Sequence, residues 1–328
     1  MQTIPTCLST DSHDTMNRTR TNTCLVLRYC RVAKLCHDPL GLAVEPYNFE
    51  SQMEYLAQSC NVISLSDVDK HLNTRDPFKH NTVAVTFDCG YADILHVAKP
   101  VLERFSIPAT AFVPTANIIE RRPLWWDELE DLVIVERTRC ELEIEIDDDE
   151  CYYWPLQRQC DRYFAYESLY SILKDTSPLI QRRILGDIMS RLGSVTGEFD
   201  YHTPLDFQQL KEFEQGGLMA VGGSTHNCVR LGSLSESDQA YKIAMNKQAL
   251  EEMLGHCVLH FGYPFVDDDD RSQSTREVVK DAGYSLAFGN SYGALNATEA
   301  VECYDLPRIK VGNWGAFAFH EFLTRFLD

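Results

Sequence analysis

Several features that would point to other classes of protein are missing from this sequence. It has no apolar run near the roughly 20 residues that a membrane-spanning helix needs, so we expect no membrane span. No two cysteines are spaced as C-x-x-C, which excludes a zinc-ribbon knuckle and a thioredoxin-type redox motif. Residues 1–23 are polar and lack the apolar segment of a secretory signal. They are predicted to form a disordered leader.

Positive charge is also scarce. The 328 residues include 30 Lys and Arg against 49 Asp and Glu, which gives a net charge of -19. Nucleic acids and anionic membrane surfaces are bound by basic faces, so we expect neither as a partner. The 12 cysteines are expected to be reduced thiols that serve mainly as small core residues, in a protein located in the cytoplasm.

What the sequence does have is an alternation of strand-like and helix-like runs, which implies a parallel sheet covered by helices, either open or closed into a barrel. The predicted strands are Cys24–Tyr29, Val62–Leu65, Thr82–Asp88, Ala109–Val113, Leu218–Gly222, Val258–Gly262, Ser285–Phe288 and Leu306–Val311. The predicted helices are Pro46–Ser59, Ser66–Leu72, Tyr91–Phe105, Ser235–Leu254 and Ser274–Ala282. Ser274 stands three residues before Glu277, a capping-box spacing that predicts a helix start there.

Between about residues 116 and 215 this alternation stops. A helix is predicted to begin at Trp125, and Cys140–Trp154 alternates like a hairpin with an acidic turn. Asp161–Leu192 has a helical pattern. We therefore predict a mainly helical insertion between two strands of the sheet.

Polar side chains follow three of the predicted strands. They are Asp88-Cys89-Gly90, the run from Ser224 to Cys228, and Tyr263-Pro264. In parallel α/β folds the catalytic groups collect at the carboxyl ends of strands. These three strand ends therefore predict a single pocket.

The same strand ends carry motifs that resemble those of the polysaccharide deacetylases (the nodulation-protein-B homology domain). The runs that carry the resemblance are LRYCRV at 27–32, TFDCGYAD at 86–93, IPATAFV at 107–113, LHFGYPF at 259–265 and LPRI at 306–309. RPLWWDELE at 122–130 is similar to a subgroup associated with exopolysaccharide and cell-envelope metabolism. The resemblance covers residues 24–325 and implies an irregular (β/α) barrel of about seven strands with a helical insertion.

For the chemistry, the resemblance implies a hydrolase that removes N-acetyl or O-acetyl groups from a carbohydrate. In such enzymes a divalent metal, often zinc, is held by one Asp and two His, a second Asp is the general base, and a backbone N–H near a Tyr-Pro motif stabilises the oxyanion. Carried onto this sequence, Asp88 is the base, Arg308 its partner, and Tyr263 with Pro264 the oxyanion segment and pocket wall.

All three metal-ligand positions of the family are substituted. Cys89 stands at the position of the metal-binding Asp, and Ser224 and Cys228 at the positions of the two His. Cys30 also replaces a His that is usual in the subgroup. Two interpretations stay open: a rebuilt site in which thiolates hold Zn²⁺ or another soft metal, or a lost metal site. The second would make the chain a catalytically inactive homologue that binds a glycan or a protein.

Two further residues are interpreted as substrate-facing. His226 is the imidazole left in the second motif and could face an N-acetylated carbohydrate or replace a lost ligand. Trp126 could stack against a sugar ring, although a pair of tryptophans more often anchors an insertion to the barrel.

Overall fold

The structure is a computed structural model, and it describes residues 22–136, 138–147, 150–193, 202–265, 268–289 and 291–327. The predicted leader lies almost entirely outside these ranges. None of the described helices is long and apolar enough to cross a membrane.

The strands follow the predicted alternation closely. They are β1 (Cys24–Tyr29), β2 (Arg31–Val32), β3 (Ala43–Val44), β4 (Asn61–Val62), β5 (Thr82–Phe87), β6 (Ala109–Val113), β7 (Glu141–Asp147), β8 (Glu150–Pro155), β9 (Met219–Gly223), β10 (His260–Gly262), β11 (Leu286–Phe288) and β12 (Ile309–Lys310). β1 and β6 have the predicted bounds. The last strand is shorter than predicted, because the backbone of Leu306 and Arg308 bonds to β11 and to the residues that follow it.

The helices are α1 (Pro46–Ser59), α2 (Leu65–Thr74), α3 (Lys99–Phe105), α4 (Ala116–Glu120), α5 (Trp125–Glu130), α6 (Gln159–Lys174), α7 (Pro178–Leu192), α8 (Phe207–Glu214), α9 (Glu236–Leu254), α10 (Gln273–Asp281) and α11 (Ala316–Leu327). The helix predicted from Tyr91 begins only at Ile94, with a π-helical turn. The predicted start of α10 was wrong, since the Ser272 hydroxyl accepts from the amide of Thr275 and caps the helix.

Seven parallel strands form a curled sheet in the order β11-β10-β9-β6-β5-β1-β12, and β4 pairs with β5 beside this path. An isolated parallel bridge joins Phe288 to Leu306, so the two ends of the sheet meet. β5 is buried along its whole length, as expected for a parallel strand covered on both faces. The predicted irregular (β/α) barrel is confirmed.

The interior of the barrel is packed rather than open. The ring of Phe112 lies against β9 and β10, where Gly222 and Gly262 stand in place of larger residues. A Cβ at either glycine would come 2.5 Å from a ring carbon of Phe112. Interiors at native density have no room for such an atom, so the two glycines allow this aromatic ring to fill the barrel.

The insertion between β6 and β9 contributes a second core, formed by its buried side chains from Leu124 to Leu192. The predicted hairpin is confirmed as the antiparallel pair β7–β8. The helical pattern predicted from Asp161 to Leu192 corresponds to two helices, because Pro178 cannot continue α6 and occupies the first turn of α7, which Ser177 caps. Buried side chains of this insertion pack with Cys30, Tyr91, Cys228 and Phe265 of the barrel. The insertion therefore covers the carboxyl ends of the strands.

Candidate active site

Asp88 lies directly after β5 and is held by the ends of two other strands. Its amide donates to the carbonyl of Tyr29 at 3.0 Å. Arg308 donates to the two carboxylate oxygens at 2.6 and 3.2 Å. The guanidinium is itself fixed through Nε to the carbonyl of Gly289 at 2.9 Å. The expected contact between Asp88 and Arg308 is present, and it is a two-pronged ion pair at the barrel mouth.

A second guanidinium reaches the same carboxylate. Arg28 of β1 approaches Asp88 with Nη1 at 3.4 Å, and its Cα pairs with that of Lys310 in β12. Among the described residues the buried Nε of Arg28 has no hydrogen-bond partner. Sequence reasoning missed this residue. The available signal was a charged residue in an otherwise buried strand, two positions after Val26, which packs inside the barrel.

The cysteine at the end of β5 lies against the cysteine at the end of β1. The sulfur atoms of Cys30 and Cys89 are 3.1 Å apart. Cys89 has a φ of 75°, a left-handed conformation that is costly for a residue with a Cβ. Its hydrogen bond to Cys30, together with burial, raises the pKa of the Cys89 thiol well above 9. Burial likewise raises the pKa of the Cys228 thiol. Without a metal ion both are therefore protonated near pH 7, and a coordinated metal would itself deprotonate such a thiol.

The hydrogen-bonding groups of Ser224 already have partners within the protein. Its hydroxyl donates to the carbonyl of Gly262 at 2.9 Å, and its amide donates to Asn246 at 2.8 Å. The side chain is buried. A hydroxyl used in this way is not one of the ligands that zinc takes in proteins, which are Cys, His and carboxylates. Among the described residues, Cys89 and Cys228 belong to no cluster of three Cys, His or acidic ligand atoms within 4.8 Å of one another. The residues at the three family ligand positions therefore do not fit a catalytic zinc ion.

A different set of possible donors lies beside the barrel mouth, at the start of the insertion. Within the described ranges, Asp127, Glu130 and His202 bring ligand atoms within 4.8 Å of one another. Both acidic residues come from α5, where the spacing i, i+3 places them on one helix face. Sequence reasoning missed this cluster, because His202 lies more than 70 positions further along the chain.

Charge in this cluster is partly neutralised by the protein. The Arg31 guanidinium lies 3.0 Å from Nδ1 of His202, and the Tyr91 hydroxyl bonds to Asp127 at 2.9 Å. Burial raises the pKa of Asp127 and of Glu130 to about 8. Burial and the charge of Arg31 lower the pKa of His202 to about 4. The set has the spacing for a metal ion, while the nearby guanidinium opposes a cation on the Nδ1 side of the ring.

Tyr263, predicted as part of the oxyanion segment, uses both its hydroxyl and its amide in hydrogen bonds within the protein. Its hydroxyl donates to the carbonyl of Tyr304 at 2.9 Å, and its amide donates to the carbonyl of Phe288 at 3.1 Å. The side chain is fully buried, whereas the next residue, Pro264, is partly exposed. An oxyanion donor at this strand end therefore has to be an N–H other than that of Tyr263.

The two residues interpreted as substrate-facing have different surroundings. His226 is partly exposed and its Nδ1 lies 2.8 Å from the hydroxyl of Thr115. Trp126 is buried, and its Nε1 donates to the hydroxyl of Tyr91 at 2.9 Å. Its ring also lies edge-on to Phe265. His226 is thus accessible, while Trp126 packs as an anchor between the insertion and the barrel.

Comparison with known proteins gives a family match for part of this barrel. Residues 193–287, which include β9 to most of β11, match the family model described as polysaccharide deacetylase. The resemblance drawn from the motifs is confirmed, and a carbohydrate deacetylase, a hydrolase, is the function that this match supports. The subgroup suggested by RPLWWDELE remains a prediction.

Solved structures with a similar fold agree with this. The deacetylase PplD of Streptococcus pyogenes, in complex with acetate, aligns with 93% of this chain and 98% of its own at 17% identity and a TM-score of 0.60. IcaB from Ammonifex degensii aligns with 93% of this chain and 97% of its own at 18% identity and a TM-score of 0.59. A de-N-acetylase from Aggregatibacter actinomycetemcomitans covers 92% and 99% at 14% identity and a TM-score of 0.56. At these identities the likeness is one of fold. No curated protein matches the sequence.

Proposed function

We propose that the protein is a carbohydrate deacetylase that removes N-acetyl or O-acetyl groups from a saccharide of polysaccharide or cell-envelope metabolism. The observation that carries the proposal is the Asp88 carboxylate, held by Arg308 at the mouth of a deacetylase-type barrel. A carboxylate in a fixed orientation at this edge is placed to take a proton from an attacking water.

The chain's own cations supply the electrostatic part of the mechanism. In the proposed reaction Asp88 accepts the proton of the water that attacks the acetyl carbonyl. Negative charge then develops on the carbonyl oxygen, and Arg28 presents a guanidinium 3.4 Å from the same carboxylate. Fixed cations aimed at a developing oxyanion are among the strongest contributions to hydrolysis. Arg28 is thus the residue that we propose to stabilise this charge.

The metal of the family would polarise the acetyl carbonyl and activate water. Zinc is the ion that we favour for it, but Cys89, Ser224 and Cys228 do not fit that ion, and we assign no step to it. The described set with suitable spacing is Asp127, Glu130 and His202.

The misfit at the family positions favours one alternative function. The domain could bind an acetylated glycan at the same mouth without hydrolysing it. In that case the Asp88–Arg308 pair would be a structural link between strand ends, and the accessible His226 would contact the glycan.

Release of acetate from N-acetylated and O-acetylated oligosaccharides tests the two functions, together with calorimetric binding of the same oligosaccharides. For the hydrolase we expect Asp88→Asn to lower kcat by about 10²–10⁴-fold. The control is Glu50→Gln, because Glu50 forms an exposed ion pair with Arg104 on helices outside the site. Binding without acetate release in the wild-type protein would establish the alternative function and refute the hydrolase.

A further inference from the structure

Cys30 and Cys89 are placed to react with each other. β1 and β5 are neighbouring parallel strands in which Tyr29 is paired with Phe87. The amide of Asp88 donates to the carbonyl of Tyr29, a hydrogen bond that belongs to this same pair. Cys30 follows β1 directly, whereas Cys89 is the second residue after β5, so the two cysteines lie one position out of register. Their side chains still converge, since the two sulfur atoms are 3.1 Å apart.

The sulfur separation favours a covalent bond over a shared metal. Two thiolates on one tetrahedral zinc ion, each at about 2.3 Å, would lie roughly 3.8 Å apart. The observed separation is 3.1 Å, and about 1 Å of further approach gives the bond length of about 2.0 Å in a disulfide. A third sulfur does not complete a metal set, because Cys228 is not part of a described cluster with these two cysteines within 4.8 Å.

The difference in solvent exposure between the two cysteines determines which one reacts first with a reagent from solution. Cys30 is buried, and Cys89 is partly exposed. A reagent from solution therefore reaches Cys89 first, and Cys30 lies behind it at contact distance. In geometry this is the arrangement of an accessible cysteine with a resolving cysteine, and the raised pKa of the Cys89 thiol makes its attack slow near neutral pH and faster as the pH rises.

We propose that Cys30 and Cys89 form a reversible disulfide at the barrel mouth, closed by a low-molecular-weight disulfide and opened by the corresponding thiol. Cys89 first loses its proton, and the thiolate then attacks one sulfur of the reagent, which forms a mixed disulfide and releases a reagent thiolate that takes up a proton. The Cys30 sulfur then attacks the Cys89 sulfur, and the second reagent thiol leaves with the Cys30 proton. The protein loses two electrons and two protons, and the reagent gains them.

The disulfide would link the strands that present the site. It joins the residue after Tyr29 to the residue after Asp88, and thereby ties together the ends of β1 and β5. Oxidation also removes the thiol at the family ligand position of Cys89, so that position could bind a thiophilic metal only in the reduced protein. The proposal concerns the thiol pair itself and holds whether or not the domain hydrolyses acetyl groups.

Equilibration of the full chain with glutathione disulfide and glutathione at a series of ratios tests the proposal. Free thiols are trapped by alkylation at each ratio, and peptides are mapped by mass spectrometry without reduction. We expect a peptide cross-linked between Cys30 and Cys89, and its loss when the ratio is reversed. The matched control is Cys228→Ser, which should keep the cross-link, because Cys228 lies near the pair but takes no part in the reaction.

A second variant separates the two steps. In Cys30→Ser the mixed disulfide on Cys89 should persist, since no resolving thiol remains. Folded wild-type protein that shows no cross-link at any ratio would overturn the proposal. So would a cross-link from Cys89 to Cys228, or an unresolved mixed disulfide on Cys89. The wild-type measurement decides the question even where the Cys30→Ser variant does not fold.

Discussion

Truncation of the Asp88 carboxylate is the perturbation whose cost the structure defines best. Arg308 is 1% exposed and Asp88 is 7% exposed, and the pair is joined by two hydrogen bonds. Asp88→Ala would leave a buried guanidinium without its counter-ion, with Arg28 as a second cation nearby. Breaking a buried pair in this way costs about 3–5 kcal/mol. A domain has only about 5–15 kcal/mol of stability in total, so the loss should be severe.

The companion substitutions show whether the cost comes from the unpaired charge. Replacing both partners of a buried pair with apolar residues is often neutral or stabilising. The double variant Asp88→Ala/Arg308→Met should therefore be more stable than Asp88→Ala alone. The difference from additivity should reach roughly 0.5–3 kcal/mol, the range observed for residues in direct contact.

Urea denaturation followed by circular dichroism measures these effects. With an m value of about 3 kcal/mol/M, a loss of 3 kcal/mol lowers the midpoint by about 1 M. Glu50→Ala is the control, because the ion pair of Glu50 with Arg104 is at the surface and surface pairs contribute little. The reasoning is refuted if Asp88→Ala and Glu50→Ala shift the midpoint equally, or if the double variant simply loses the sum of the two single effects.

Three further predictions concern the metal and the thiols. The triple variant Cys89→Asp/Ser224→His/Cys228→His should bind zinc stoichiometrically in elemental analysis, and a folded triple variant without zinc would reject the motif alignment. In equilibrium dialysis, the affinity of the protein for zinc should be at least tenfold lower in Glu130→Gln than in the wild type, and unchanged in Glu128→Gln. An equal effect of both substitutions would exclude the Asp127, Glu130 and His202 set as the zinc site. Because Cys89 has a raised pKa and only thiolates alkylate readily, iodoacetamide should label Cys89 more slowly than the exposed Cys257 at pH 8. The Cys89 rate should still be rising above pH 9, and equal rates at pH 8 would contradict this explanation.

Local chemistry was enough to predict most of the barrel. Strands such as β1 and β6 are mainly apolar runs, and α1 begins at Pro46, so their bounds could be read from neighbouring residues. The motifs around Asp88 and Arg308 likewise predicted a contact between residues 220 positions apart. Pro178 was a readable break in the insertion, because proline cannot continue a helix.

Tertiary structure decided what the substituted site can do. The sequence showed that Cys89, Ser224 and Cys228 replace metal ligands, but the donor directions depend on packing between strands. Only the fold turns the Ser224 hydroxyl toward the carbonyl of Gly262 and sets the sulfur atoms of Cys30 and Cys89 at 3.1 Å. Long-range contacts of this kind are set by the packing of whole elements rather than by neighbouring residues. The sequence alone could therefore show which metal-ligand positions are altered, but not what the residues at these positions contact.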